Sequence, residues 1–195
     1  MPRILVTGAA GQIGSELVPM LRELHGDAAV LATDLTVPAT IESQGPVATL
    51  DCTDPRAVRE VFQAFRPERV YHLAALLSAV GERDPQRAWI VNLDGLRMVL
   101  EACREHSSSL FTPSSIAAFG PDAPRDPTPQ DTLQRPTSIY GVTKVAGELL
   151  CDYYHARYGV DTRGVRYPGV VSFAHPPGGG TTDFAARVDD GDVPT

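Results

Sequence analysis

Tyr140 and Lys144 stand four residues apart in Tyr140-Gly141-Val142-Thr143-Lys144. On a helix that spacing puts both side chains on one face, so the ammonium can lie beside the phenol. A free tyrosine, with a pKa of about 10, is a poor base at neutral pH. A neighbouring cation stabilises the phenolate and lowers that value. Such a phenolate can take a hydroxyl proton while a hydride leaves the same carbon. Ser114 and Ser115 close an apolar run, Leu110 to Ser115, where a hydroxyl can hold the substrate oxygen. By itself Tyr-x-x-x-Lys also fits an ordinary surface helix, so the chemistry requires a hydride acceptor nearby.

The N-terminus offers a place for one. Thr7-Gly8-Ala9-Ala10-Gly11-Gln12-Ile13-Gly14 spaces its glycines G-x-x-G-x-x-G, directly after an apolar run and before an amphipathic one. A strand-to-helix turn of this kind must be tight, and its backbone must approach a pyrophosphate closely. A Cβ at Gly8 or Gly11 would obstruct one or the other. The amides that open the helix at Gln12 and Ile13 would face the phosphates, aided by the helix dipole. Asp34 follows Gly14 by twenty residues. A carboxylate there accepts hydrogen bonds from the adenosine ribose hydroxyls and repels a 2′-phosphate, which favours NAD over NADP. Read without the glycines, Asp34 is an ordinary turn residue at a strand end.

Short apolar runs alternate with amphipathic segments along the chain. Residues 3–7, Ala29 to Asp34, Val47 to Asp51, Arg69 to Ala75, Leu110 to Ser115 and Thr162 to Tyr167 read as strands. Helices are expected over residues 12–25, from Asp54-Pro55 to Pro67, from Gln86 to His106 and from Tyr140 to Tyr158. Ile13, Leu17, Leu21 and Leu24 give the first its apolar stripe. Asp54 reads as an N-cap with Pro55 at the first helical position. This alternation predicts an α/β fold, a doubly wound parallel sheet with helices on both faces.

The net charge of −7 leaves no basic surplus to neutralise phosphates, which argues against nucleic-acid binding. With 43% apolar and 21% charged residues the composition is that of an ordinary globular domain. No run of 18 apolar residues exists, so no membrane span is expected. Met1-Pro2-Arg3-Ile4 enters an apolar strand at once and lacks the parts of a secretory signal, so the location reads as cytoplasmic. Cys52, Cys103 and Cys151 are odd in number and widely spaced, which fits buried thiols in a reducing compartment better than a disulfide framework or a metal site.

Taken together, the fingerprint at Gly8, Gly11 and Gly14, Asp34, His72-Leu73-Ala74-Ala75, Asn92, Ser115 and Tyr140-x-x-x-Lys144 resembles the extended short-chain dehydrogenase/reductase superfamily. Leu76 to Glu82, Tyr140 to Cys151, Arg166-Tyr167-Pro168-Gly169 and Pro176 to Asp183 are similar to the short-chain-type L-threonine 3-dehydrogenases, relatives of UDP-galactose 4-epimerase. The resemblance implies a Rossmann-type fold, NAD as cofactor and oxidation of the L-threonine 3-hydroxyl to 2-amino-3-oxobutyrate. It assigns Tyr140 as general base, Lys144 to lowering its pKa and binding the nicotinamide ribose, and Ser115, five residues before Gly120, to orienting the hydroxyl. Asp51 and Cys52 would flank the adenine. Leu73, Ala74 and Ala75 would line the cofactor with Asn92 close behind, and Tyr167 and Pro168 would meet the nicotinamide end. Ser78, Gly178, Thr181, Thr182 and Asp183 would form the pocket for threonine or a similar 3-hydroxy amino acid.

The likeness ends after about Ala186. Residues 1–175 read as the NAD-binding domain with the Tyr/Lys/Ser set, and 176–195 as the start of a substrate segment and a frayed tail, most of the substrate lobe being absent. NAD binding with weak or no threonine turnover is expected on that basis, unless a partner chain supplies cover. The family implies a homodimer through a four-helix bundle built from Gln86–His106 and Tyr140–Tyr158. Two other readings stand beside this one: a nucleotide-sugar epimerase or dehydratase, and an NAD-binding module without turnover.

Overall fold

In the computed structural model, residues 1–42 and 44–170 are described. The strands are β1 (Ile4–Thr7), β2 (Val30–Asp34), β3 (Val47–Thr49), β4 (Arg69–His72), β5 (Ser109–Phe111), β6 (Ser114–Ser115), β7 (Thr162–Arg163) and β8 (Arg166–Tyr167). Six of them form one sheet in the order β3-β2-β1-β4-β5-β7, and every pairing is parallel. The order runs one way from β1 to β3 and the other way from β4 to β7. The chain therefore reverses between β1 and β4, where sheets of this doubly wound, Rossmann type leave a crevice at the carboxyl ends of their strands.

Alternation along β1 sets the two layers. Ile4 and Val6 point with Val30 and Ala32 into one core, closed by Val18 and Leu21 of α1 (Gly14–His25) and by Ile41 of α2 (Ala39–Glu42). Leu5 and Leu31 face the other core, with Val70 and Leu110. That side is covered by α3 (Pro55–Phe65), through Val58 and Phe62, by α6 (Gly95–His106), through Leu96, Val99 and Leu100, and by Cys151 and Tyr154 of α7 (Ile139–Tyr158). Each fully buried Leu, Val or Phe contributes about 1.5–3 kcal/mol. No helix of the described residues is long and apolar enough to cross a membrane.

Local chemistry explains the helix ends. Asp54 accepts a hydrogen bond from Arg56 N at 2.8 Å, and Pro55 starts α3. The helix stops one residue before Pro67, where Arg66 takes a left-handed conformation at φ 52. Ser138 accepts from Gly141 N at 3.0 Å to cap α7. A second acceptor, Glu82, takes the amide of Ile139 at 2.7 Å from across the fold. Glu82 belongs to α4 (Ser78–Arg83), a helix the sequence pattern did not announce. The long helix expected over Gln86–His106 is present as α5 (Pro85–Trp89) and α6, joined by a π-helical segment at Ile90–Asp94.

Two expected strands divide. Pairing of β5 with β4 ends at Phe111, because Pro113 has no N–H with which to continue the ladder. On the other side the bonds continue: Thr112 N donates to Arg163 O at 3.0 Å and Ser114 N to Val165 O at 2.8 Å. The result is a separate parallel ribbon, β6 with β8, that pairs Ser114 with Arg166 and Ser115 with Tyr167. The fourth strand likewise ends at His72, which leaves Leu73 to Ala75 as irregular chain over the crevice.

Gly141 locks α7 to this ribbon. A Cβ there would lie 2.2 Å from Ala117 O, in the turn that follows Ser115, and 2.6 Å from Pro136 Cβ. Gly141→Ala is expected to destabilise the fold by about 1–3 kcal/mol in urea unfolding, as overpacking does. An unchanged midpoint would show that the first turn of α7 is not held against the Ser115 turn.

Candidate functional site

The turn after β1 is built on backbone contact. Gly8 has φ +69, and a Cβ on it would meet Ala74 N at 2.6 Å. Gly11 differs: its Cβ would meet only Gly8 O, at 3.3 Å. The fold therefore nearly tolerates a side chain at Gly11, yet that residue lines a cleft of about 510 Å³ that a side chain would begin to fill. Gly8, Asp34, Asp51, Cys52 and Leu73 to Ala75 line the same cleft. Of the residues singled out for adenosine and pyrophosphate, these come together. Gln12, Ile13 and Gly14 stand just beyond, and the first bonds of the helix run from Ser15 N to Gly11 O and from Leu17 N to Ile13 O. The amides of Gln12 and Ile13 precede them, at the end of a helix that has no internal acceptors to offer. A cleft with a side-chain-free floor, helix amides and a carboxylate at its far end fits a dinucleotide.

Asp34 has a second duty. Its Oδ2 accepts from Ala10 N at 2.9 Å and its Oδ1 from Leu35 N at 2.7 Å, so the carboxylate also staples the glycine turn. Asp51 is exposed and accepts from Thr53 N at 2.8 Å and from the Thr53 hydroxyl at 2.7 Å. Burial pushes the Cys52 thiol up to about 12, so it acts as an apolar wall. Leu35, Leu50, Leu76, Arg87, Ile90 and Val91 complete the cleft. Leu35, Leu50 and Leu76 adjoin Asp34, Asp51 and Ala75, which could have signalled them. Arg87 arrives from α5 and Ile90 and Val91 from the π segment, which carry no motif.

A second cavity of about 480 Å³ shares Leu73, Ala74 and Ala75 with the first and reaches Lys144. Asn92 lines it and fixes its roof. The side chain accepts from Leu76 N at 2.7 Å and donates to Leu76 O at 3.0 Å and to the Thr143 hydroxyl at 3.2 Å. Asn92 lies in the π segment, whose extra residue per turn is a frequent mark of a functional site.

Tyr140 and Ser115 line neither cavity, but both stand close to Lys144, which lines the second. Lys144 Nζ lies 5.4 Å from the centre of the Tyr140 ring and donates to Pro113 O at 2.8 Å. Burial raises the Tyr140 phenol above its usual range, opposed by a hydrogen bond with Ser115. The anticipated lowering is not achieved by the protein groups alone, because desolvation outweighs the Ser115 hydrogen bond. Burial also pushes Lys144 down to about 8, opposed by the charge of Glu148. Ser115 accepts from Ala117 N at 3.2 Å. Tyr167 pairs with Ser115 across the ribbon, and Pro168 follows it. Gln12 Nε2 reaches Val170 O at 3.1 Å, tying this segment to the glycine turn. Ser78 is half-buried at the start of α4 and lines neither cavity. Gly178, Thr181, Thr182 and Asp183 lie outside the described residues.

His72 sits beneath the lysine, with Nδ1 paired to the Thr7 hydroxyl at 2.8 Å. Its Nε2 has no hydrogen-bond partner among the described residues. Burial, aided by the charge of Lys144, pushes its pKa down to about 3, so the ring is neutral. A phenol and a hydroxyl beside an ammonium that lines the cavity next to a dinucleotide-shaped cleft can move a proton between a bound alcohol and the protein.

Residues 4–191 match the NAD dependent epimerase/dehydratase family. An uncharacterised epimerase/dehydratase of Staphylococcus saprophyticus is 52% identical over 190 residues, which cover 96% of this chain and 59% of that one. The structure of L-threonine dehydrogenase from Clostridium difficile superposes with a TM-score of 0.92 at 52% identity, over 95% of this chain and 59% of that one. UDP-glucose 4-epimerase from Brucella ovis, in complex with NAD, gives a TM-score of 0.79 at 27% identity, over 87% of this chain and 52% of that one. The chain thus spans about three fifths of the length of the curated relatives it matches.

His72 gives a pH test of this interior. Its folded pKa lies below the unfolded value of about 6.5, so on acidification only the unfolded chain gains the proton. Stability drops as pH falls through that range, and from pH 7.5 to pH 5 the loss due to His72 is about 2 kcal/mol. His72→Gln is expected to remove that share of the slope, measured by urea unfolding at both pH values. An unaltered slope would show that His72 protonates in the folded state.

Proposed function

Because the chain belongs to the NAD dependent epimerase/dehydratase family, we propose that it is an NAD-dependent oxidoreductase acting on the 3-hydroxyl of L-threonine or a similar small 3-hydroxy amino acid. The observation that carries the reading is the grouping of Tyr140 and Ser115 with Lys144, whose side chain lines the cavity that shares a wall with the Asp34 cleft. The substrate class is supported by the likeness to an L-threonine dehydrogenase at 52% identity, against 27% for the nucleotide-sugar epimerase.

Gly8, Gly11, Asp34, Cys52 and Leu73 to Ala75 would hold the adenosine and pyrophosphate, with Asn92, Lys144, Tyr167 and Pro168 toward the nicotinamide. When bound, the dinucleotide supplies the two-electron acceptor for the hydrogen on the alcohol carbon. The chain's own residues handle the proton. Ser115 holds the substrate oxygen in hydrogen-bond reach of Tyr140. The Tyr140 phenolate takes the hydroxyl proton as the carbon becomes a carbonyl. Burial works against the phenolate, so the base needs positive charge beside it, and the Lys144 ammonium is that charge within the chain. Asp34 would accept from the ribose hydroxyls on the same carboxylate that holds Ala10 and Leu35, which disfavours a 2′-phosphate.

The same reading extends to assembly. Val142, Leu149 and Tyr153 are exposed on α7 at spacings of seven and four, which places them on one helix face. Trp89 and Ile90 are exposed on the segment packed against it. A homodimer through these helices would cover them. Sedimentation is expected to give twice the chain mass of 20.9 kDa, and a monomer would count against this mode of assembly.

NADH formation from NAD and L-threonine tests the reaction. Tyr140→Phe is expected to lower turnover by about 10²–10⁴-fold, the usual contribution of a general base, while NAD affinity stays unchanged. Absence of turnover with L-threonine, or turnover only with a UDP- or GDP-sugar, would overturn the assignment. Equal turnover in the Tyr140→Phe chain would remove Tyr140 as the base.

A further inference from the structure

Glu148 stands one helical turn beyond Lys144 on α7, and both of its oxygens are fully engaged. Oε1 accepts from the Ser114 hydroxyl and from Arg166 Nε at 2.9 Å. Oε2 accepts from Arg166 Nη2 at 2.7 Å and from Gln134 Nε2 at 2.9 Å. Arg166 also donates to Gln130 O at 2.9 Å and lies 5.0 Å over the Phe119 ring. Ser114 and Arg166 are paired across the β6–β8 ribbon, and the residues that follow them are Ser115 and Tyr167. One carboxylate therefore grips the ribbon immediately before the two residues that face the proposed reaction.

We propose that Glu148 is a positioning residue: it clamps the Ser115–Tyr167 ribbon to the helix of Tyr140 and Lys144 and keeps the Lys144 ammonium charged. The proposal rests on the oxidoreductase reading for its link to turnover. A bare fastener between helix and ribbon could use an apolar contact at lower desolvation cost. Here the fastener is an ion pair with both side chains only about one-fifth exposed, at 19% for Arg166 and 21% for Glu148. Burial raises the Glu148 carboxyl, but hydrogen bonds from Arg166, Ser114 and Gln134 outweigh it and hold the group below the usual carboxylate range. Its charge in turn opposes the burial that depresses Lys144. The other titratable or charged groups around the lysine are Tyr140, Cys151 and Asp152 on its own helix, neutral His72 on β4, and Arg163 and Arg166 on β7 and β8. Glu148 is the carboxylate among them whose field supports the ammonium.

Lys144 is the only lysine among the 195 residues, so a chain labelled with ε-¹³C lysine gives one side-chain signal. In the full chain its titration is expected to centre near 8. Glu148→Gln should lower that midpoint by about one pH unit, the size of a nearby opposite charge. Arg166→Gln, which removes the competing cation, should raise it. Glu148→Gln should also lower kcat about tenfold and bring the alkaline fall of kcat to lower pH by the same interval, with the KM for NAD little changed. Glu148→Asp should restore the lysine midpoint but not kcat, because the shorter carboxylate keeps the charge and loses the ribbon.

Midpoints equal to the parent in both charge variants, with only a lowered Tm, would overturn the proposal in favour of a fastener. Shifted midpoints with unaltered kcat would overturn its positioning role. Should Glu148→Gln fail to fold, Glu148→Asp decides: a parental lysine midpoint with lowered kcat supports the proposal, and a parental kcat overturns it. If the parent chain shows no threonine turnover, the oxidoreductase reading fails, and the lysine titration still decides whether Glu148 supports the ammonium.

Discussion

Everything in this site depends on two backbones that come closer than a side chain permits. At Gly8 the turn leaving β1 presses against the chain leaving β4, and a Cβ would lie 2.6 Å from Ala74 N. These are the two strands between which the sheet reverses direction. Because the turn and the Leu73–Ala75 segment touch there, the cleft lined by Asp34 and the cavity reaching Lys144 share one wall. A looser contact would separate the dinucleotide-shaped cleft from the cavity that reaches Lys144. The buried bond between Thr7 and His72 repeats the closure one residue earlier on β1 and two earlier on β4, with the imidazole neutral.

The second constraint is electrostatic. Tyr140, Lys144 and His72 are all withdrawn from water, and desolvation moves each against its charged form. A buried ammonium near a neutral imidazole and a protonated phenol is a stable arrangement only where a carboxylate lies close. Glu148 is held in its charged form by three donors from the loop before α7, the ribbon and β8. The charge beside the Lys144 ammonium and the hydrogen bonds that hold the ribbon of Ser115 thus meet in one side chain.

How much of this the sequence revealed follows from the range of each interaction. The parallel sheet was legible because apolar runs alternate with amphipathic ones, and the caps at Asp54 and Pro55 act within one turn. Tyr140 and Lys144 were legible because a helix brings residues four apart together. The same rule reaches Glu148, four residues after Lys144, but a Glu at that spacing is common and gains meaning only once Arg166 and Ser114 arrive from distant strands. The break between β5 and β6 rests on one missing N–H, at Pro113, that an apolar pattern does not register. The π segment was hidden for a related reason: one extra residue per turn leaves the stripe of Leu93, Leu96, Val99 and Leu100 nearly intact while turning Asn92 inward to Leu76 and Thr143. The raised phenol of Tyr140 was not legible at all, since burial is a property of the assembled fold.

Asp34 shows why cofactor choice and fold are not independent here. In isolation a carboxylate at the end of β2 is a specificity element, exchangeable for a neutral or basic residue to admit a 2′-phosphate. In this chain the same carboxylate accepts from Ala10 N, inside the glycine turn, and from Leu35 N, at the start of the next loop. Removing it leaves two amides without their acceptor and loosens the turn that Gly8 holds against Ala74. A lost hydrogen bond to a charged acceptor costs about 1.5–3 kcal/mol, comparable to what a new phosphate contact returns. The residue proposed to select the nucleotide is thus also a structural member of the glycine turn, and any exchange of Asp34 has to begin by supplying another acceptor for the Ala10 amide.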